Sequence, residues 1–281
     1  MSTYLVVGAN GTVAHEVARL LEAAGHVVRR GTSRAAGAGQ VHIDLVSGAG
    51  IDDALRGVDG AFVFAPPGYT NQDVLLPPVF AAAQRLGVRK VVMMSAMGAD
   101  ASDEAPMRKA ELALERSGVA WNVIRPNWFM QNFHTFWLHG ITHHNAVQLP
   151  VGDARTSFID ARDIAAVAAA LLQRADFDNQ AFDLTGGASL THAEVAAILS
   201  RELDRPIRFE DITSESMRPG LLAAGLPADY VEFLLLILSY LKAGYAERTT
   251  DAVERITGRA PRTFEAYARD FRAAYPSPVA A

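Results

Sequence analysis

The opening of the chain, from Thr3 to Gly25, constrains the fold more than any other stretch. Leu5-Val6-Val7 is an unbroken apolar run, read as a strand buried on both faces. Gly8 and Gly11 then permit a tight turn, and the chain re-emerges as a helix. Val13, Val17, Leu20, Leu21 and Ala24 fall at helical spacing, with Gly25 as the stop. A strand, a glycine turn and a helix aim several backbone N–H groups and the positive end of a helix dipole at one spot, which suits a pyrophosphate. The spacing is G-x-x-G-x-x-A, and Ala14 in the third slot is small enough for the helix to press against the strand. An ordinary strand-to-helix turn would carry the same glycines. The setting between an apolar strand and an amphipathic helix favours a dinucleotide, held by Gly8, Asn10, Gly11, Thr12 and Val13.

A chain of 281 residues makes one large domain or a domain with a smaller appendage. It is 50% hydrophobic and 20% charged, which is ordinary globular material. A net charge of −5 without a basic run argues against a nucleic-acid partner. With no cysteine, disulfides, thiolate catalysis and cysteine-ligated metals are excluded. No basic segment followed by an apolar one marks the chain for export. The most apolar run, 233–238, is too short to span a bilayer. A cytoplasmic monomer or homodimer with no membrane partner is expected.

Strand and helix signals alternate through the first half. His26-Val27-Val28 is a second strand, leading to Ser33-Arg34. The residue closing this strand ordinarily meets the adenosine ribose, where a carboxylate selects NAD. None is present, and a hydroxyl beside a guanidinium suits a 2′-phosphate, so NADP(H) is favoured over NAD(H). The alternative is a solvated basic turn. Val41-His42-Ile43 is a third strand, followed by Asp44 and Leu45 and a helix over 51–56. Gly60 to Phe64 form a fourth strand, and Ala65-Pro66-Pro67 turns the chain sharply at the carboxyl edge where a cofactor lies. A helix over 71–86 precedes a fifth strand, Lys90 to Met94, which ends at Ser95. A helix over 104–117 and a sixth strand, Trp121 to Ile124, complete an α/β, Rossmann-type, doubly wound parallel sheet.

These segments resemble the NmrA-like atypical short-chain dehydrogenases. The resemblance rests on Gly8-x-x-Gly11-x-x-Ala14, Ser95, Lys109, the run from Ile124 to Asn132 and the run from Phe158 to Ala165. Gly225-Leu226-Pro227 and Asp251 to Gly258 look most like the branch of agroclavine and festuclavine dehydrogenases; NADPH:quinone oxidoreductases and triphenylmethane reductases are more distant. The resemblance implies a Rossmann domain over 1–150 and a smaller, mostly helical substrate domain over 151–281, with about 155–185 returning to the sheet. It also implies NADP(H) binding and gives Lys109 a catalytic or cofactor-side role. Classical members of the wider family carry Tyr-x-x-x-Lys, whereas the residue four before Lys109 is Ala105. Without that proton donor, acceptors that take hydride without obligatory protonation are favoured over ketones.

Helical spacing puts Lys109 on a face with Leu112 and Ala113, opposite Glu111 and Glu115. A cofactor ribose would partner a lysine so placed; snorkelling to solvent is the alternative. Asn127, Trp128, Phe129 and Phe133 follow the sixth strand, with Phe136 and Trp137 extending a helical stripe that reads equally as core or as wall for a planar, conjugated substrate. His139, His143 and His144 lack a completing carboxylate and read as solvated loop residues, so no metal is expected.

Thr191-His192-Ala193-Glu194 is a capping box opening a helix to Leu203. Helices near 214–224, 228–242 and 264–274 follow; the span 230–241 is apolar almost all round and reads as buried, as a pocket lid, core or subunit contact, and 276–281 reads as a frayed tail. The expected function is an NADPH-dependent reductase acting on a small iminium, imine or quinone. The alternative is a redox-sensing regulator that binds dinucleotide and a protein partner.

Overall fold

A computed structural model describes residues 1–34, 36–37 and 39–276. The chain begins with β1 (Thr3–Val6), α1 (Thr12–Ala23), β2 (Val27–Thr32), β3 (Gln40–His42), α2 (Ile51–Leu55) and β4 (Gly60–Val63). Then come α3 (Gln72–Leu75), α4 (Pro77–Arg85), β5 (Lys90–Met94), α5 (Pro106–Glu115) and β6 (Ala120–Pro126). α6 (Leu138–His144), β7 (Ala146–Leu149), β8 (Arg155–Thr156), α7 (Ala161–Gln173) and β9 (Gln180–Leu184) follow. The chain continues through β10 (Leu190–Thr191), α8 (His192–Leu203), β11 (Arg208–Asp211) and α9 (Ser214–Ala223). It ends with α10 (Ala228–Lys242), α11 (Ala252–Thr257) and α12 (Phe264–Asp270).

Met1–Pro126, Arg162–Asp183 and Arg255–Gly258 form one compact unit, and Asn127–Ala161, Leu184–Glu254 and Arg259–Ala281 form a second. Sequence alone divides the chain at 150, with about 155–185 returning to the sheet; in the structure the first segment of the first unit ends at Pro126 and Arg162–Asp183 rejoins it. The tail expected to fray lies, from 277 on, outside the described residues.

The first unit is built on a sheet of order β3-β2-β1-β4-β5-β6-β9, with β1 to β6 paired in parallel. Its strands are apolar runs because helices cover both faces; Leu5, Val63, Val91, Met93 and Val123 sit in one core with Phe80 and Leu114 from the helices. The strand order reverses between β1 and β4, and in such sheets the crevice at that reversal is where ligands bind. β2 runs longer than its apolar run suggests, to Thr32. Gly31 makes this possible, since a Cβ there would stand 2.8 Å from Ile43 Cγ2. The helix expected over 71–86 is two helices. Pro77 and Pro78 lack the N–H groups that would continue α3, so α4 starts afresh at Pro77.

The second unit has its own core, centred on Phe133, Phe158, Phe264 and Tyr267. Small pairs β7·β11 and β8·β10 brace it. The capping box forms as expected: Thr191 Oγ1 accepts from the Glu194 amide at 3.1 Å, and Glu194 Oε2 accepts from the Thr191 amide at 2.7 Å. Within the chain only one face of α10 is core. Val231, Leu235, Leu238 and Leu241 are buried on one face, but Phe233, Leu236 and Tyr240 are exposed.

Candidate functional site

The glycine turn is closed by the Gly11 amide donating to Gly8 O at 2.8 Å. Two further bonds anchor the turn to the sheet: the Val7 amide to Phe62 O at 3.0 Å and the Ala9 amide to Gly31 O at 3.1 Å. Gly8 has φ +64°, and a Cβ on it would fall 2.7 Å from the ring of Phe64, at the end of β4. Both the left-handed backbone and the close approach of that ring require glycine here. Gly11 is the N-cap of α1, with no side-chain cap and no acidic residue in the first turn. The leading N–H groups of α1 therefore have no anionic or hydroxyl partner from their own helix, which is the arrangement a phosphate completes. Asn10, Gly11 and Thr12 are exposed, whereas Val13 and Ala14 are buried. Val13 thus offers the site only its backbone, and Ala14 fills the close helix–strand contact expected of it.

Ser33 and Arg34 are exposed just past β2, with the Arg34 amide donating to Thr32 Oγ1 at 3.2 Å. Leu45 belongs to the core of the sheet, so its side chain is not available to a cofactor. Asp44 is committed to its own turn: its carboxylate accepts from Ser47 Oγ at 2.6 Å and from the Val46 amide at 2.9 Å, and these bonds hold it below the usual carboxylate range. Ala65 and Pro66 are half-buried and Pro67 is exposed.

Ser95, at the end of β5, is buried and donates to Glu111 Oε1 at 2.5 Å. Glu111 is wholly buried and sits between two guanidinium groups. Arg125 donates from Nε at 3.0 Å and from Nη2 at 2.6 Å, and Arg108 Nη1 donates at 2.9 Å. Arg125 also reaches Asp100 at 2.5 Å, and Arg108 reaches Glu115 at 2.7 Å. Burial works against the Arg125 charge, but Glu111, Asp100 and Asp183 together outweigh it and hold the guanidinium above its ordinary value. Removing one partner from such a network strands a buried charge, whereas the intact set is held rigidly.

The expected placement of Lys109 is corrected. The buried face of α5 carries Ala110, Glu111 and Leu114. Lys109 is exposed and pairs with Glu104 at 2.8 Å, which holds its ammonium above the ordinary value. Glu111 takes the inward position because two arginines neutralise it, which spacing by residue type does not reveal.

In the second unit the aromatic segment is not one helix. It forms a 3₁₀ turn over Met130–His134, with about three residues per turn, so Phe129, Phe133, Phe136 and Trp137 do not share a face. Trp128 and Phe129 are half-buried and Phe136 is exposed. Phe133 is core: its ring meets Trp137, Phe264 and Phe158 at centroid distances of 4.7, 5.1 and 5.3 Å. Asn127 is a buried clasp, donating to Ser157 Oγ and to Ala246 O at 2.8 Å each. Phe133 is thus core rather than an exposed wall, and the Asn127 amide nitrogen is committed to its clasp. His139, His143 and His144 lie on α6 rather than in a loop, and among the described residues no group of three or more acidic or histidine side chains is arranged to hold a metal.

Sequence reading missed the Glu111–Arg125 pair and His192, which is buried with both ring nitrogens unpartnered among the described residues. A charged residue inside an apolar strand pattern, Val123-Ile124-Arg125, was the available signal.

The pattern of the NmrA-like family matches residues 1–268. The NAD(P)H azoreductase of Xenophilus azovorans is 33% identical over 96% of this chain and 98% of its own length. The (4-alkanoyl-5-oxo-2,5-dihydrofuran-3-yl)methyl phosphate reductase of Streptomyces griseus is 34% identical over 96% and 98%. Among solved structures, an NADPH-dependent quinone oxidoreductase of Escherichia coli, complexed with NADPH, superposes with a TM-score of 0.81 over 96% of this chain and 99% of that one. At 20% identity, that likeness speaks for the fold alone.

Proposed function

The chain belongs to the NmrA-like family, and from that premise we propose that it is a NAD(P)H-dependent oxidoreductase passing hydride to a small conjugated acceptor: an iminium ion, an imine or a quinone. The observation that carries this reading is the glycine turn. Gly8 is left-handed against the Phe64 ring, and Gly11 opens α1 without a cap, so that a pyrophosphate supplies the missing partner. The relatives named as reductases support the reaction class. The nicotinamide supplies the hydride when bound. Asn10, Thr12 and the first backbone N–H groups of α1 hold the phosphates, bordered by Asp44 and the Ala65-Pro66-Pro67 turn. Ser33 and Arg34 take the 2′-phosphate and so favour NADPH over NADH. Ser95, held by Glu111, and Lys109 face the ribose on the nicotinamide side. Trp128 and Phe129 are half-buried aromatics, flat apolar surface of the kind a planar acceptor packs against.

The test is stopped-flow oxidation of bound NADPH against quinones, cyclic imines, iminium salts, azo dyes and simple ketones. Oxidation by at least one conjugated acceptor, with ketones slow because Ala105 stands where a tyrosine acid would be, is expected. Lys109→Met should weaken NADPH binding without lowering the melting temperature of the free protein. NADPH binding with no oxidation by any acceptor overturns the enzyme reading in favour of a redox sensor; no binding at all overturns both.

A further inference from the structure

In a loop, His139, His143 and His144 would have no fixed spacing; the structure places all three on α6. On a helix, residues four apart share a face, whereas residues five apart lie about 140° round the axis from each other. His139 and His143 are therefore neighbours along one stripe, and His144 lies off it. The helix that carries the stripe is anchored in the second unit. Ile141 and Thr142 are buried on its inner side, and a Cβ on Gly140 would stand 2.7 Å from Ala146 O of β7. His139 and His143 are exposed on the outer side.

Ring geometry separates the two pairs. The His139 and His143 rings have their centroids 4.4 Å apart and their planes 39° from parallel. His139 and His144 are 5.8 Å apart and nearly edge-on, at 75°. A first-row cation stands about 2.0–2.1 Å from an imidazole nitrogen, so two rings in adjacent positions on one ion have centroids about 4.5–5 Å apart. The first pair already has close to that spacing, and the second is wider. Among the described residues, neither His139 nor His143 has a hydrogen bond or ion pair to give up. Both rings can therefore turn a nitrogen toward a shared ion without breaking a bond, and the ion reaches them directly from solvent. His143 also lies in the last turn of α6, where the unsatisfied carbonyl ends favour positive charge.

We propose that His139 and His143 form a two-histidine chelate for a borderline divalent cation of the first transition row, such as zinc(II), nickel(II) or copper(II), with water in the remaining positions. Imidazole suits these ions, and two histidines four apart on a helix are a recurring way to present it. Magnesium, a hard ion that prefers oxygen ligands, is rejected. Two protein ligands make an exchangeable surface site, not a closed structural centre of four. No group of three or more ligands is gathered among the described residues, which agrees with that limit. The site belongs wholly to the second unit and stands independently of the dinucleotide reading.

Titration calorimetry on the full chain with zinc, nickel and magnesium chlorides tests it. The chain has no cysteine, so no thiolate competes for these ions. Zinc and nickel should each bind saturably, and magnesium should not. His139→Gln and His143→Gln should each weaken zinc and nickel binding at least tenfold, a difference of about 1.4 kcal/mol or more, because a single imidazole cannot chelate. His144→Gln should change it by less than about threefold. All three positions are exposed, so the melting temperatures without metal should match that of the unmodified chain. NADPH affinity should be the same in all variants. The proposal is overturned if neither zinc nor nickel binds saturably below millimolar concentration, or if magnesium binds as tightly as they do. It is overturned equally if His139→Gln or His143→Gln binds as the unmodified chain does, or if His144→Gln loses as much as His143→Gln.

Discussion

Replacing His192 with leucine should flatten the acid side of the stability profile. The imidazole opens α8 and is wholly buried, ringed by Phe158 at 5.2 Å, Phe209 at 5.7 Å, Trp137 at 6.1 Å and Phe133 at 6.2 Å between centroids. Neither ring nitrogen has a hydrogen-bond partner among the described residues. Burial in this apolar cage pushes the group down from 6.5 to about 4. The unfolded chain therefore binds a proton at a pH where the folded chain does not. Stability from this residue is complete above about pH 6.5 and falls as the pH drops toward 4. At 1.36 kcal/mol per pH unit of separation, the loss is about 2 kcal/mol at pH 5 and about 3 kcal/mol once the pH reaches 4. Leucine has similar bulk, carries no proton and removes two buried polar atoms, each of which costs about 1–3 kcal/mol unpaired. Urea unfolding followed by tryptophan fluorescence, at pH 7.5, 6 and 5, reads the difference, with Trp137 in contact range as reporter. The variant should match or exceed the native chain at pH 7.5 and gain about 2 kcal/mol on it by pH 5. Parallel profiles for the two proteins would refute the assignment of an unpaired, neutral His192.

Gly8→Ala places a Cβ 2.7 Å from the Phe64 ring at φ +64°, and should cost about 1–2 kcal/mol of stability in thermal unfolding as well as at least tenfold in NADPH affinity by calorimetry. Pairing it with Phe64→Leu should return part of the stability; no loss in the single variant would contradict the close approach. Arg34→Ala should bring NADPH affinity down by tenfold or more and leave NADH affinity nearly unchanged, and equal affinities in the unmodified chain would defeat the 2′-phosphate assignment. Arg125→Met removes the bidentate partner of the wholly buried Glu111 and should cost about 3–5 kcal/mol in denaturant unfolding. A loss below 1 kcal/mol would mean that Arg108 alone satisfies the carboxylate.

Ser95 connects this buried network to the carboxyl edge of β5. Because Ser95 Oγ donates to Glu111, the oxygen lone pairs remain available to an incoming donor such as a ribose hydroxyl. Glu111 is in turn fixed by two arginines, so the rotamer of Ser95 is set by the interior rather than by solvent.

The sequence by itself determined what rests on local rules. The glycine turn, the capping box at Thr191, the apolar strands and their alternation with helices were legible because each depends on backbone conformation or on the periodicity of neighbouring residues. Pro77-Pro78 was a local signal too, and weighing it fully would have divided the helix over 71–86. The tertiary structure decided which polar groups lie inside. Glu111 reads as a solvated helix residue until Arg125 arrives from β6 and Arg108 from its own helix to neutralise it. Lys109, which spacing by residue type puts on the apolar face, stays outside because α5 turns Glu111 inward instead. Phe133 and Phe136 are the same residue type in the same segment, yet a 3₁₀ turn sends one into the core and the other to the surface. His192 carries no sign in the sequence that its ring nitrogens lie buried with no hydrogen-bond partner among the described residues. Burial of a charge or a ring nitrogen is set by what distant segments bring alongside it, and a linear pattern contains no record of that company.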